Sequence, residues 1–309
     1  MKYYIIKRLL FLIPMIFIVT FIVFLLTASS GEHQALVLLK AQGLELVSDE
    51  LIAKTVKDYG FDRPVVIRYF EWLGNAFLMN FGTSYVTKRP VSDVVLNAFG
   101  YTLQLGLISV VVSITFSLAL GILCAIWEGR PFDLVTRIIM FILSSLPAYL
   151  MGILLMWFFS VHLRILPTSG VGTFQHFIMP VFALAASYIG FYSRVVRTNM
   201  LESKNEKYTV FLKSCGISKG SIIRHELKNS LQTLVTAFTM AIIGMIAGTF
   251  VVENIFSWPG LGRLCITSIF SNDIPIIQAY VLIMTVFYCV FNIAADIVNA
   301  AINPRLRGE

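Results

Sequence analysis

The sequence predicts an all-α polytopic membrane protein, with six transmembrane helices and a small helical cap on the outer side. Three observations predict it. Apolar residues make up 57% of the 309-residue chain and charged residues only 13%, roughly half the charged share of soluble domains. Six apolar runs reach the ~20 residues that a helix needs to cross the hydrocarbon core. Lysine and arginine gather in alternate loops, as expected of a chain oriented with its positive charge on the cytoplasmic side.

The runs lie at 9–28, 98–127, 134–162, 176–193, 230–252 and 276–302. Lys2, Lys7 and Arg8 precede the first run and "TASSG" follows it, as in a secretory signal. A signal h-region spans only ~7–15 residues, so this longer run reads as a retained span. Residues 1–28 are therefore an N-terminal segment with its span, and 29–97 are extracytoplasmic. Within that stretch, "SDELIAKTVKDYG" places Leu51, Ile52, Thr55, Val56 and Tyr59 on one helical face and ends at Gly60. "DRPVVIRYFEWLGNAF" opens with Asp62 as a cap and Pro64 in the first turn, then stripes Val66, Phe70, Leu73 and Phe77. Residues 98–302 form the transmembrane core, with a cytoplasmic loop at 194–229 and an outer loop at 253–275, and 303–309 are a cytoplasmic tail.

A cytoplasmic N-terminus puts Lys204, Lys207, Lys213, Lys219, Arg224 and Lys228 inside, while the outer loops after the third and fifth spans hold only Arg164 and Arg263. Both termini are then cytoplasmic. The net charge of +7 follows from topology and gives no ground for a nucleic-acid partner.

Catalytic chemistry has little to stand on. Cys124, Cys215, Cys265 and Cys289 show no CxxC, and His33, His162, His176 and His225 share no ligand spacing, so no metal site is expected. No P-loop or HExxH is present. Asp296 is the ionisable residue inside a span and a candidate functional site. Its place ~13 Å along the helix from Arg305 better suits a structural acid pairing with a neighbouring helix near the inner interface.

Two stretches need more than a span. Residues 206–215 form a helix with Tyr208, Phe211, Leu212 and Cys215 as its apolar face, Gly216 supplies a break or left-handed cap, and Ser218 caps a second helix carrying Ile222, Ile223 and Leu227. Such a pair suits either the lipid headgroups or a groove in another protein. At the outer end of the fifth span, "VVENIFSWPGLGRL" packs Pro259, Gly260 and Gly262 behind Trp258. That forbids a continuing helix and leaves either a Trp-anchored turn or a re-entrant gating loop.

The motifs together resemble the permeases of the dipeptide/oligopeptide/nickel family of ABC importers, over essentially the whole chain. The matching stretches are "IIKRLLFLIP", "FGTSYVTKRPV", "LPTSG", "RVVRTNMLE", "CGISKGSIIRHELKNSL", "VVENIFSWPGLGRL" and "NPRLR". The resemblance implies a type I ABC importer permease fold. It also implies that the inner loop is an "EAA" coupling element docking on a cytoplasmic ATPase, with Gly216 as the motif glycine and Arg224, His225 and Asn229 in the family's polar pattern. Tyr208, Phe211, Leu212, Cys215 and Ile217 complete that coupling surface. Trp258, Pro259, Gly260, Leu261 and Gly262 become a periplasmic gate or binding-protein contact. The implied partners are a sister permease in a heterodimer, two ATPases that bind ATP and Mg, and an extracytoplasmic solute-binding protein, all at a bacterial inner membrane. No cofactor is implied in this chain.

Departures exist. Leu212 and Ser214 stand where the family usually has alanine, Cys215 where a basic residue is common, and Thr233 where proline is common. After the first span, "ASSGEHQALVLLKAQG" replaces the Pro-Gly-Asp-Pro of many peptide permeases, which points to the nickel and metallophore branch, with di- and oligopeptides as the alternative. An ion-coupled secondary transporter would want charges on several spans and internal repeats, and the sequence offers neither.

Overall fold

The computed structural model describes residues 2–28, 31–41, 43–44 and 46–302, with the side chains of 2–9, 11, 213, 219, 228, 229, 231–233 and 300–302 left aside. Helices dominate: α1 (Lys2–Thr27), α2 (Gly31–Ala41), α3 (Asp49–Asp58), α4 (Val65–Phe77), α5 (Val91–Ile126), α6 (Pro131–Ser145), α7 (Ala148–Leu155) running into a π-helix (Met156–His162), α8 (Gln175–Asn205), α9 (Lys207–Ser214), α10 (Lys219–Ile255), α11 (Leu261–Phe270) and α12 (Ile274–Ile302). Four of the described helices are by themselves long and apolar enough to cross a membrane, or up to six spans if each of two bent pairs counts as one. The chain divides into two compact units, one built from Thr102–Trp258 with the segment from Asn292, the other from Lys2–Tyr101 with Pro259–Phe291.

In the first unit α8 packs against α6, α7 and α10. Glycine makes the approach possible: a side chain at Gly190 would collide with the Met140 carbonyl, and one at Gly121 would sit 2.6 Å from Val196 Cβ. Small residues let membrane helices close on each other where hydrophobicity cannot drive them together. Tyr192, Val196, Leu234, Phe238 and Ala241 fill the α8–α10 seam.

The third apolar run, expected as one span over 134–162, is broken: α6 and the α7–π segment meet at 107°. Pro147 has no N–H to donate and pushes Leu146 out of the helical region, to φ −87°, ψ 124°. The carbonyl freed at Leu146 is taken by the Ser187 hydroxyl at 2.9 Å. The π-helix brings His162 into stacking contact with Trp157 and Phe158.

In the second unit, α3 starts at Ser48 as N-cap with Gly60 at φ +64° behind it, and its expected face is buried at Thr55 and half-buried at Leu51, Ile52 and Val56, but Tyr59 is exposed. The expected face of α4 holds only at Leu73. Tyr69, Leu73 and Ala76 are the buried residues, while Val66, Phe70 and Phe77 point outward. Asp62 caps nothing, since the N-cap is Pro64 without a side-chain bond. Tyr69 is drawn in by its hydroxyl, which pairs with Thr20 Oγ1 at 2.8 Å and donates to the Phe17 carbonyl at 3.2 Å.

Candidate functional sites

The helix pair expected on the cytoplasmic side exists as two helices around a glycine. Gly216 has φ +72°, a conformation that favours glycine. Ile217 N–H reaches back to the Leu212 carbonyl at 3.3 Å, the 6→1 bond that closes a helix with a left-handed cap. Ser218 stands at the N-cap of α10 as expected, but its side chain makes no capping bond. The second helix of the expected coupling pair is also not separate from the fifth span. Lys219–Ile255 is one unbroken helix of 37 residues, ~55 Å long at 1.5 Å per residue.

The expected apolar face of α9 is divided. Tyr208 and Leu212 turn partly inward, whereas Phe211 and Cys215 are exposed, Phe211 by 66%. Thr209, next to Tyr208, is the buried anchor: its hydroxyl donates to the Ser203 carbonyl at 2.7 Å. Ser203 and Ser230 hydroxyls meet at 3.1 Å, and Ser230 also bonds the carbonyls of Asn199 and Glu226 at 3.2 and 2.9 Å. This network seats α9 on α8 and α10. Ile217 is half-buried at the wall of a cavity of about 510 Å³ that it shares with Ala125, Met200, Ile222 and Glu226. Arg224 and His225 are exposed, and the side chain of Asn229 lies outside the described residues.

Near that loop, Arg197 grips the fully buried Asp133, Nε to Oδ1 at 2.8 Å and Nη2 to Oδ2 at 2.9 Å. Gly129 N–H donates to the same carboxylate at 3.0 Å. The sequence reading missed this pair because its members lie 64 positions apart.

At the other end of α10 the turn is built by residues 253–260. Glu253 is fully buried, its carboxylate accepting the Thr102 hydroxyl at 2.7 Å and its carbonyl accepting Trp258 N–H at 2.8 Å. Trp258 is fully buried edge-on against Phe177, with centroids 4.6 Å apart. The residue at positive φ is Ser257, at +52°. Gly260 is the N-cap of α11 at φ −88°, ψ 177°, extended backbone that any residue adopts, so left-handed geometry is not what it supplies. Pro259 leads into that cap, and Leu261 and Gly262 are buried in the first turn of α11. Leu261 packs with Val91, Val95, Ile276 and Ala279. The "GLG" is therefore a helix start. Glu253 lies one residue beyond the expected fifth span, which hid it as an intramembrane acid.

The turn after α11 holds a second acid. Asp273 is buried and accepts the Ser84 hydroxyl at 2.5 Å and Tyr85 N–H at 3.0 Å. This joins "FGTSYVTKRPV" to the start of α12. Burial, and then the charges of Tyr59 and Asp273, push the Tyr85 phenol up to about 12, so it stays neutral. Asp296 is half-buried on α12 and is engaged within the fold. Among the described residues no group of three or more His, Cys, Asp or Glu is placed to hold a metal.

A family model described as the binding-protein-dependent transport system inner membrane component matches residues 117–308, from within α5 through α9, α10 and α11 into the residues after α12. The chain belongs to this family. It is the permease subunit of an ABC importer. The permease is 42% identical over 304 residues to the metal-staphylopine import system permease protein CntB of Staphylococcus aureus, with 98% of each chain covered. It is 35% identical over 309 residues to the glutathione transport system permease protein GsiC of Escherichia coli, again with 98% of each chain covered. Among solved structures, a crystal structure of an amino acid ABC transporter with histidines superposes with a TM-score of 0.55 at 16% identity, covering 68% of the permease and 94% of that chain. That likeness is one of fold, the type I permease architecture.

Proposed function

We propose that the permease moves a metal–chelate complex of the metallophore type, or nickel itself, across the cytoplasmic membrane by alternating access. The observation that carries this reading is the end-to-end similarity to a metal-staphylopine permease. The replacement of the peptide-permease motif after the first span by "ASSGEHQALVLLKAQG" supports it further. A di- or oligopeptide cargo is the second reading, favoured by the similarity to a glutathione permease.

In this reading the permease pairs with a sister permease, two cytoplasmic ATPases hydrolyse ATP with Mg, and a solute-binding protein delivers cargo from outside. Both termini face the cytoplasm. Tyr208, Phe211, Leu212, Cys215, Gly216, Ile217, Arg224, His225 and Asn229 form the surface that receives an ATPase. The residues from Trp258 to Gly262 form the outer gate or binding-protein contact. Exposed Phe211, with Val210 exposed beside it, supports the docking role, because large apolar side chains left open on a short helix suit a partner's groove.

The test is uptake into proteoliposomes holding the full complex with its binding protein, comparing nickel–staphylopine, free nickel and glutathione. ATP-dependent uptake of the metal complex alone is the expected result, and uptake of glutathione alone overturns the cargo assignment. Phe211→Ala should leave the fold's stability within ~0.5 kcal/mol, as for surface substitutions, yet reduce copurification of the ATPases. Unchanged copurification removes Phe211 from the docking surface.

A further inference from the structure

The outer turn is clamped to four neighbouring elements, and the clamp converges on Glu253. Its carboxylate holds the Thr102 hydroxyl of α5 at 2.7 Å. Its carbonyl holds Trp258 N–H at 2.8 Å, so a shift of this helix end carries the buried indole with it. Trp258 rests edge-on against Phe177 of α8. Phe256, between them, offers its carbonyl to Gly170 N–H at 3.0 Å, and its ring lies where a Cβ at Gly152 of α7 would come within 3.2 Å.

A carboxylate is a costly way to fill this space, since a buried charge must be hydrogen-bonded to be tolerated. Apolar packing would hold the helix end as well. An acid kept there in α10 is explained by directional holding. The helix that carries it matters too. α10 runs without interruption from Lys219, beside the Gly216 cap, to Ile255. α5 runs from the Thr102 contact to Ala125 and Ile126, which line the cavity beside Ile217. Both partners of the hydrogen bond thus sit on helices that reach the coupling loop at their far ends.

We propose that Glu253 is a positioning residue of the transport cycle: its hydrogen bond to Thr102 latches the outer turn to α5, so that movement of α10 at the coupling loop is delivered to the Phe256–Trp258 turn. This rests on the reading that partner ATPases drive the permease through that loop. The bond needs an acceptor at 253 and a donor at 102, and the charge itself is secondary. Glu253→Gln retains an acceptor oxygen, Glu253→Leu removes it, and Thr102→Val removes the donor at nearly constant shape.

The experiment measures cargo transported per ATP hydrolysed in the assembled complex, at matched copurification of the ATPases. Thr102→Val and Glu253→Leu should each lower that ratio about fivefold, the double variant should be no worse than either single, and Glu253→Gln should stay within about twofold of the parent. A second readout does not need transport. In a cysteine-free background, Ser257→Cys should react several-fold faster with a membrane-impermeant thiol reagent once Thr102→Val is added. Should Glu253→Leu fail to assemble, Thr102→Val alone decides. Normal coupling and unchanged labelling in Thr102→Val, or effects of the two single variants that multiply, overturn the latch. A parent complex that shows no ATP-dependent uptake refutes the transport reading instead, and the labelling comparison still judges the latch.

Discussion

Arg197 holds Asp133 with two N–H groups along one edge of its guanidinium, and that carboxylate is fully buried while the arginine remains 17% exposed. The pair joins the first turn of α6 to α8 ten residues before α9 begins. It therefore fixes the platform from which α9 departs.

Asp133→Asn should destabilise the permease by roughly 3 kcal/mol, because breaking one side of a buried pair leaves the other charge uncompensated. Arg197→Lys keeps the charge but loses the two-pronged geometry and should cost about half as much. Thermal aggregation of the detergent-solubilised protein ranks the two. The opposite order would show that geometry, and not charge balance, dominates.

Gly216 has no heavy atom within 4 Å of where a Cβ would sit. Any effect of adding one comes from the backbone, held at φ +72°. Gly216→Val should therefore cost roughly 1–2 kcal/mol locally and uncouple ATP hydrolysis from uptake, while Gly216→Asn should be milder, since asparagine tolerates that region. Copurified ATPase and coupling ratio at matched expression measure both. Equal behaviour of the two variants would count against the left-handed cap.

Asp273 accepts from Ser84 and Tyr85, 189 and 188 positions away. Hydrogen bonds to a charged acceptor are worth ~1.5–3 kcal/mol each. Asp273→Ala should free the 84–88 turn, raising amide hydrogen exchange at Tyr85 at least tenfold while exchange within α8 stays unchanged. A uniform rise across the protein would mean global destabilisation in place of a local tie.

Topology is best read at position 206. Ser203 is buried in the α8–α10 hydrogen-bond network and would resist labelling from either side, whereas Glu206 is exposed. Glu206→Cys in a cysteine-free background should be labelled by an impermeant reagent in inverted vesicles and not in intact cells. The reverse pattern would turn the proposed orientation over.

The elements legible in advance were those set by local chemistry. Apolar run length marked the segments that became long helices, because a helix in a bilayer must bury its backbone over a fixed thickness. Glycine's steric freedom marked the cap at Gly216, and the helix–glycine–helix pattern with "SWPGLG" marked both candidate sites. The break at Pro147 was also written there, in the "SSLPA" that the long apolar run concealed.

What tertiary structure decided was which face and which partner. In a membrane chain, core-facing and lipid-facing side chains are both apolar, so periodicity could not tell Tyr69 from Phe70, and the hydroxyl's bonds to Thr20 and Phe17, with Phe21 and Phe24 packed on its ring, hold that face of α4 inward. Thr102 with Glu253, Asp133 with Arg197 and Ser84 with Asp273 pair across 151, 64 and 189 positions. Composition dictates that a buried acid must find a donor. Which donor it finds depends on helices meeting in space, and no local rule of sequence carries that distance.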